Sequence, residues 1–128
     1  MEKDVSDDEM VKVIADFLEQ GLADNIISMF KADSSYYPLI GQVLRDERFA
    51  VRLGVNVLFE ELVAQGVSEV ALAVEPLVEL LDPQTPAYVR GEAAGVLGII
   101  ASASALAALK PLVDDEDPQV AEIARDYV

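Results

Sequence analysis

Apolar residues recur every three or four positions along almost the whole chain of 128 residues. Runs of this kind start at Val11, Val51 and Val89. A period near 3.6 places such residues on one face of an α-helix, and no stretch alternates apolar and polar residues long enough to predict a strand. We therefore expect an all-α fold of about eight helices with short connections.

Capping signals divide this pattern into separate helices. Ser6 and Glu9 have the spacing of a capping box, in which each side chain bonds the other residue's backbone N–H. Gly21 and Gly66 follow apolar stretches and suit the left-handed conformation that ends many helices. Pro76 lies inside an otherwise helical stretch, where we expect a kink.

The helical pattern repeats within the chain. Without gaps, an offset of 38 residues aligns Pro38/Pro76, Leu39/Leu77, Val51/Val89, Arg52/Arg90 and Val55/Ala93. A further offset of 31 residues aligns Val78/Leu109, Leu81/Leu112, Val89/Val120 and Ala93/Ala124. One helical hairpin cannot bury its own apolar stripe, whereas stacked hairpins bury each other's stripes and form a continuous core. The repeat thus predicts stacked helical hairpins.

The repeated residues resemble a known family. The pattern Pro-Leu-x-x-x-Leu-Leu-Asp, followed by Val-Arg and then Ala-Ala-x-x-Leu-Gly, is similar to HEAT repeats of the short bacterial and archaeal type, also called PBS-lyase-type repeats. The resemblance is strongest over Pro76–Ile100. It implies an α-solenoid, a right-handed superhelix of about four antiparallel helical hairpins. The expected single domain, residues 1–128, then comprises a divergent N-terminal cap hairpin (1–33) and three repeats (34–66, 67–101 and 102–128).

The resemblance also implies roles for individual residues. In the family, an aspartate in the inter-helix turn and an arginine six residues later form a ladder along the stack. Asp46 and Arg52 have this spacing, but Gln84 stands six residues before Arg90, so Asp82 would have to serve there. The implied structural ladder is Asp46, Arg52, Asp82 and Arg90.

Second helices line the concave, partner-binding surface in proteins of this family. The resemblance therefore implies a contact surface near Arg52, Asn56, Glu60 and Arg90. The two arginines are candidates for both roles, and we expect them to hold the stack together more than to bind a partner. The predicted function is a protein-interaction scaffold or adaptor.

Composition excludes several other functions. The chain has 9 lysines and arginines against 24 aspartates and glutamates, a net charge of −15. A general nucleic-acid binder needs a basic face, so no nucleic acid is expected, whereas a protein partner with a basic segment is favoured. Cysteine and histidine are both absent, which removes thiolate and imidazole chemistry. We expect no catalytic residue, no metal, no cofactor and hence no enzyme.

Two alternatives to the adaptor remain open. The resemblance allows an accessory factor related to HEAT-like bilin lyases, which attach a chromophore to another protein and would need an apolar groove of ligand size. The chain also allows self-association, because Val120, Ile123, Ala124 and Tyr127 share one stripe of the last helix. A homodimer could form through that helix if nothing else covers the stripe.

The remaining features give weaker expectations. The acidic run 114–117 lacks the alternating ligands and central glycine of a calcium loop, so we interpret it as a solvated turn. Five aromatic residues near helix ends would be either interface anchors or plugs of the helical layers with hydroxyls reaching water, and Phe49 is expected to be a plug; they are Tyr36, Tyr37, Phe49, Tyr88 and Tyr127. The stretch MEKDVSDDEM lacks the regions of a signal peptide, and no apolar run reaches membrane-spanning length, so a cytoplasmic protein without a membrane contact is expected.

Overall fold

A computed structural model of the chain describes residues 6–128. These residues form eight α-helices and three 3₁₀ segments, and no strand lies among them. The α-helices are α1 (Asp7–Glu19), α2 (Ala23–Ala32), α3 (Ile40–Leu44), α4 (Phe49–Ala64), α5 (Val74–Glu79), α6 (Ala87–Ile100), α7 (Ala103–Leu109) and α8 (Pro118–Tyr127). The 3₁₀ segments are Ser34–Leu39, Ser68–Ala73 and Lys110–Asp114. The predicted all-α class is confirmed; residues 1–5 of the predicted cap lie outside the described range.

The predicted capping signals form as expected. Ser6 and Glu9 make the reciprocal bonds of a capping box at the start of α1. Gly21 and Gly66 adopt φ values of +79° and +72°, in the left-handed region that a side chain disfavours. Both therefore end their helices in the way that the sequence predicts.

Prolines shape the shorter helices. Pro38 lies within a 3₁₀ segment, and Pro111 lies at the start of another. Pro76 was expected to kink a continuous helix, but the chain instead runs as 3₁₀ over Ser68–Ala73 and begins a new α-helix at Val74. This break places Pro76 in the first turn of α5, where its missing N–H has no intrahelical partner to lose.

The helices pack side by side in chain order. Helix α4 packs against α2 and α6, and α6 packs in turn against α8. The shorter elements form a second series, in which α1 contacts α3, α3 contacts α5, and α5 contacts α7. One continuous cluster of buried apolar residues lies between the two series and runs from Ile14 to Ala124. Among the described residues, no helix is long and apolar enough to cross a membrane.

Candidate partner-binding face

The structure places the four predicted contact residues in different surroundings. Glu60 is exposed on α4, and Asn56 is partly exposed one turn before it. Arg52 keeps only 12% of its side chain exposed, and Arg90 is 5% exposed. Asn56 and Glu60 can therefore reach a partner, whereas both arginines are largely engaged within the chain.

Arg90 joins α6 to the turn before α8. Its Nε and Nη2 atoms lie 3.2 and 2.9 Å from the two carboxylate oxygens of Asp115. Its Nη1 atom donates to the backbone carbonyl of Thr85. The hydrogen bond from Arg90 holds the pKa of Asp115 below its usual value, because it stabilises the ionised carboxylate. The ion pair and the Thr85 carbonyl together occupy the Arg90 guanidinium within the chain.

Arg52 joins α4 to α6. Its Nε atom donates to Glu92 Oε2 at 3.1 Å, and its Nη1 atom donates to the backbone carbonyl of Asp46 at 2.9 Å. The guanidinium carbon lies 4.7 Å from the ring centre of Tyr88 and 5.7 Å from that of Phe49. The planar cation is thus held over one aromatic face and beside a carboxylate.

The ion pairs differ from the expected ladder. The carboxylate of Asp46 accepts from the backbone N–H of Arg48 at 2.8 Å and from its side-chain Nε at 2.9 Å, so Arg52 reaches only the Asp46 carbonyl. Asp82 likewise accepts from the backbone N–H of Gln84 at 2.8 Å. Each aspartate faces its own turn because it caps the N–H two residues later. The arginines find their carboxylates in the following helix or turn, at Glu92 and Asp115.

The acidic run 114–117 has a structural use. Asp115 pairs with Arg90, and Asp117 caps α8 by accepting from the backbone N–H groups of Gln119 and Val120 at 2.9 and 3.2 Å. No group of three or more potential metal ligands is found within residues 6–128. Two of the four carboxylates in the run therefore fix the turn and the start of α8.

One group of exposed apolar side chains lies on α4, α6 and α8, and we call this surface the α4–α6–α8 face; other exposed apolar side chains, such as Leu72 and Val78, lie elsewhere. On α4, Phe49, Leu53 and Val57 are 63%, 48% and 44% exposed at successive turns. Tyr88 on α6 and Tyr127 on α8 are also exposed. Phe49 is therefore not the buried plug that its position predicted. A group of exposed apolar side chains of this kind is typical of an interaction site.

A groove of about 360 Å³ runs across this face. Leu53 and Val57 form one wall, and Ile123 and Tyr127 form the other. The remaining lining residues belong to α4, α6 and α8: Asn56, Glu60, Gly91, Glu92, Gly95, Ile99 and Asp126. The lining combines apolar side chains with three carboxylates and contains no lysine or arginine.

Gly95 marks the floor of the groove. It lies in the interior of α6, and a Cβ atom at this position would meet nothing within 4 Å. Glycine in a helix interior costs about 1 kcal/mol relative to alanine. Packing within the chain does not require glycine here, in contrast to Gly54, where a Cβ would lie 2.8 Å from Leu18 Cβ.

Sequence reasoning missed the apolar wall and the glycine floor of this groove. The α4 stripe that it identified begins at Val51 and Val55, which are fully buried. Leu53 and Val57 lie on the opposite side of the same helix. The sequence did contain a signal for this wall, because α4 is apolar on two faces. A helix that covers a core needs only one apolar face, so the second face indicates a further contact.

The stripe proposed for self-association is largely covered within the chain. Val120 and Ala124 are 1% and 0% exposed, because α8 packs against α6 and the 3₁₀ segment Lys110–Asp114. The outward side of α8 carries Glu122, Arg125 and Asp126. Of the predicted dimer surface, only Tyr127 and part of Ile123 remain accessible.

Comparison of the chain with protein-family models, with curated proteins and with solved structures gave no significant match. The resemblance to HEAT repeats therefore stays a prediction. The alternative of an accessory factor related to bilin lyases stays one as well.

Proposed function

We propose that the chain is an α-solenoid that works as a protein-interaction module and not as an enzyme. The α4–α6–α8 face would bind a protein partner that carries a basic segment. The two series of helices that pack in chain order support the solenoid arrangement, with a cap at 1–33 and repeats at 34–66, 67–101 and 102–128. Four antiparallel hairpins in a right-handed superhelix would give this arrangement.

One observation carries the proposal: exposed apolar side chains line a groove on the α4–α6–α8 face. Leu53 and Val57 are about half exposed on a helix whose other side is fully buried. Leaving such groups in water forgoes roughly 25 cal/mol for each Å² of apolar surface, which a partner could recover by covering them. The continuous core beneath the face would hold it in one shape before the partner arrives.

Charge supports a basic partner. Glu60 and Asp126 line the groove together with Glu92, which already pairs with Arg52, and the chain as a whole carries −15. Opposite charges on a partner would raise the association rate at low ionic strength, and salt would screen this attraction. Asn56 and Glu60 would touch the partner, while Arg52 and Arg90 would hold the helices in place.

The experiment is an affinity capture at low salt with two double variants of equal charge change. Leu53→Arg with Val57→Arg alters the groove, whereas Leu72→Arg with Val78→Arg alters equally exposed apolar positions outside it. We expect the control to retain a partner with a basic segment and the groove variant to lose it. Circular dichroism would show that both variants fold. Equal capture by both variants, or capture that resists high salt, would contradict the proposal.

A further inference from the structure

We propose that the occupant of the groove is an amphipathic α-helix of the partner, apolar on one side and flanked by lysine or arginine. This inference rests on the proposed function and names the partner's chemistry at the same face. It is carried by the spacing of the apolar walls, by the position of the carboxylates and by the helical backbone around the groove.

The walls repeat at the interval of one helical turn. Leu53 and Val57 are four residues apart on α4, as are Ile123 and Tyr127 on α8. Helices α6 and α8 run in the same direction, since Gly91 lies against Ile123 and Gly98 against Tyr127. Each wall thus offers two apolar side chains one helical turn apart, which gives the groove two levels. A partner helix also presents apolar side chains at intervals of three or four residues, so two of its successive turns can contact these two levels.

An extended peptide fits this face less well. Residues 6–128 form no strand, so the face has no sheet edge to which an added strand could hydrogen-bond. The backbone groups of α4, α6 and α8 are bonded within their own helices apart from the ends. An extended segment would therefore bring unpaired backbone groups against apolar side chains, whereas a helix satisfies its own.

The carboxylates in the groove make a second copy of this chain an unfavourable occupant. Glu60, Glu92 and Asp126 lie among the apolar lining. A symmetric contact through this face would place the carboxylates of one copy near those of the other, which is unfavourable. Lysines or arginines beside the apolar stripe of a partner helix would instead meet Glu60 and Asp126, since Glu92 already pairs with Arg52. Gly95 leaves the floor open, so a side chain of that helix can approach the α6 backbone.

The test uses two fluorescein-labelled peptides of identical leucine and lysine composition. In one, leucines recur every three or four residues over about 18 residues, roughly five helical turns. In the other, the order is scrambled so that no apolar helical face forms. We expect the helix-patterned peptide to bind the full chain at least about tenfold more tightly by fluorescence anisotropy, because only it can fill both levels of the groove.

Two pairs of variants locate the binding. Gly95→Leu fills the floor, and Ala107→Leu places the same leucine side chain at an exposed position of α7. Glu60→Lys with Asp126→Lys changes the groove charge, and Glu75→Lys with Glu79→Lys makes the same net change on α5. We expect each groove variant to weaken binding of the helix-patterned peptide by about tenfold or more, with each control within about twofold of the parent chain.

The outcomes separate the two proposals. Equal affinity for both peptides, or no effect of Gly95→Leu, would overturn the helix inference. A partner that is lost on Leu53→Arg with Val57→Arg but docks through a non-helical segment would also overturn it, while the proposed function would stand. A molar mass that rises with chain concentration in light scattering and falls back when the helix-patterned peptide is added would show self-association through this face and likewise overturn it.

Discussion

Arg90 on α6 holds both carboxylate oxygens of Asp115, with Nε 3.2 Å from Oδ2 and Nη2 2.9 Å from Oδ1. The two side chains are 6% and 9% exposed. The pair connects α6 to the turn that precedes the last helix. Because Arg90 is shielded from water, the Asp115 carboxylate is the main compensation for its charge, beside the backbone carbonyl of Thr85.

Asp115→Asn is therefore expected to destabilise the fold by about 3 kcal/mol, since it leaves a buried guanidinium without its counter-charge. Urea denaturation followed by circular dichroism would measure the change in the free energy of unfolding. Asp114→Asn is the matched control, because Asp114 is the exposed neighbour in the same turn. Equal stability of the two variants would show that the Arg90–Asp115 pair contributes little.

The Arg90–Asp115 pair also predicts that the free energy of unfolding depends on pH. Arg90 holds the pKa of the Asp115 carboxyl below its usual 3.8 in the folded chain. A lowered folded-state pKa means that the ionised carboxylate stabilises the fold above about pH 4 and that this stabilisation is lost as the pH falls through the folded-state value. The stability difference between the parent chain and Asp115→Asn should thus shrink as the pH falls below about 4.

Urea denaturation of both proteins at several pH values would measure this difference. Comparing the two proteins cancels the effect of the other carboxylates, which titrate in both. A difference that stays constant from neutral to acidic pH would show that Asp115 is not the group responsible.

Much of the helical architecture could be predicted from the sequence. Local chemistry fixes helix ends such as the Ser6 capping box and the left-handed Gly21, and neither depends on distant residues. The apolar repeat likewise identified buried positions such as Val55 and Val89. These signals are local or periodic, and a single sequence records both.

The contacts between repeats could not be predicted in the same way. Asp46 and Arg52 have the spacing of a ladder pair. The Asp46 carboxylate nevertheless accepts a hydrogen bond from Arg48, only two residues away, and not from Arg52. The carboxylates that Arg52 and Arg90 do meet belong to later parts of the chain and depend on how the helices stack. The exposure of Phe49 and Leu53 could not be predicted for the same reason. Periodicity shows that a helix face is apolar, but it does not show whether another helix covers that face.

A substitution of Tyr37 is predicted to stabilise the fold, in contrast to Asp115→Asn. Its side chain is fully buried, its ring lies 4.9 Å from that of Phe30, and its hydroxyl has no hydrogen-bond partner. Burial raises the pKa of the phenol, with a smaller contribution from Glu69. Tyr37→Phe keeps the ring contacts and removes the unpaired hydroxyl, so we expect a gain of about 1 kcal/mol in unfolding free energy.

Chemical denaturation would show this gain as a higher midpoint at unchanged slope. Tyr36→Phe is the control, because Tyr36 is only partly buried and should change stability by less than about 0.5 kcal/mol. Destabilisation by Tyr37→Phe would mean that the hydroxyl has a partner in solution.

Two glycines in neighbouring helices should respond to alanine in opposite ways. At Gly54 on α4, the new methyl carbon would lie 2.8 Å from Leu18 Cβ, closer than carbon atoms approach without displacement. Gly54→Ala would push α1 away from α4, with an expected loss of about 1–3 kcal/mol from overpacking. At Gly95 on α6, the methyl would meet nothing within 4 Å, and the higher helix propensity of alanine should raise stability by up to about 1 kcal/mol.

Thermal and urea denaturation of the two variants would test this contrast within one protein. The same chemical change is made in two α-helices, so the difference reports the space around each glycine. If both variants were stabilised, α1 would not be held against α4 as closely as the Gly54–Leu18 contact indicates. If Gly95→Ala stabilised the chain and left peptide binding intact while Gly95→Leu abolished it, the space above Gly95 would be occupied by the bound helix.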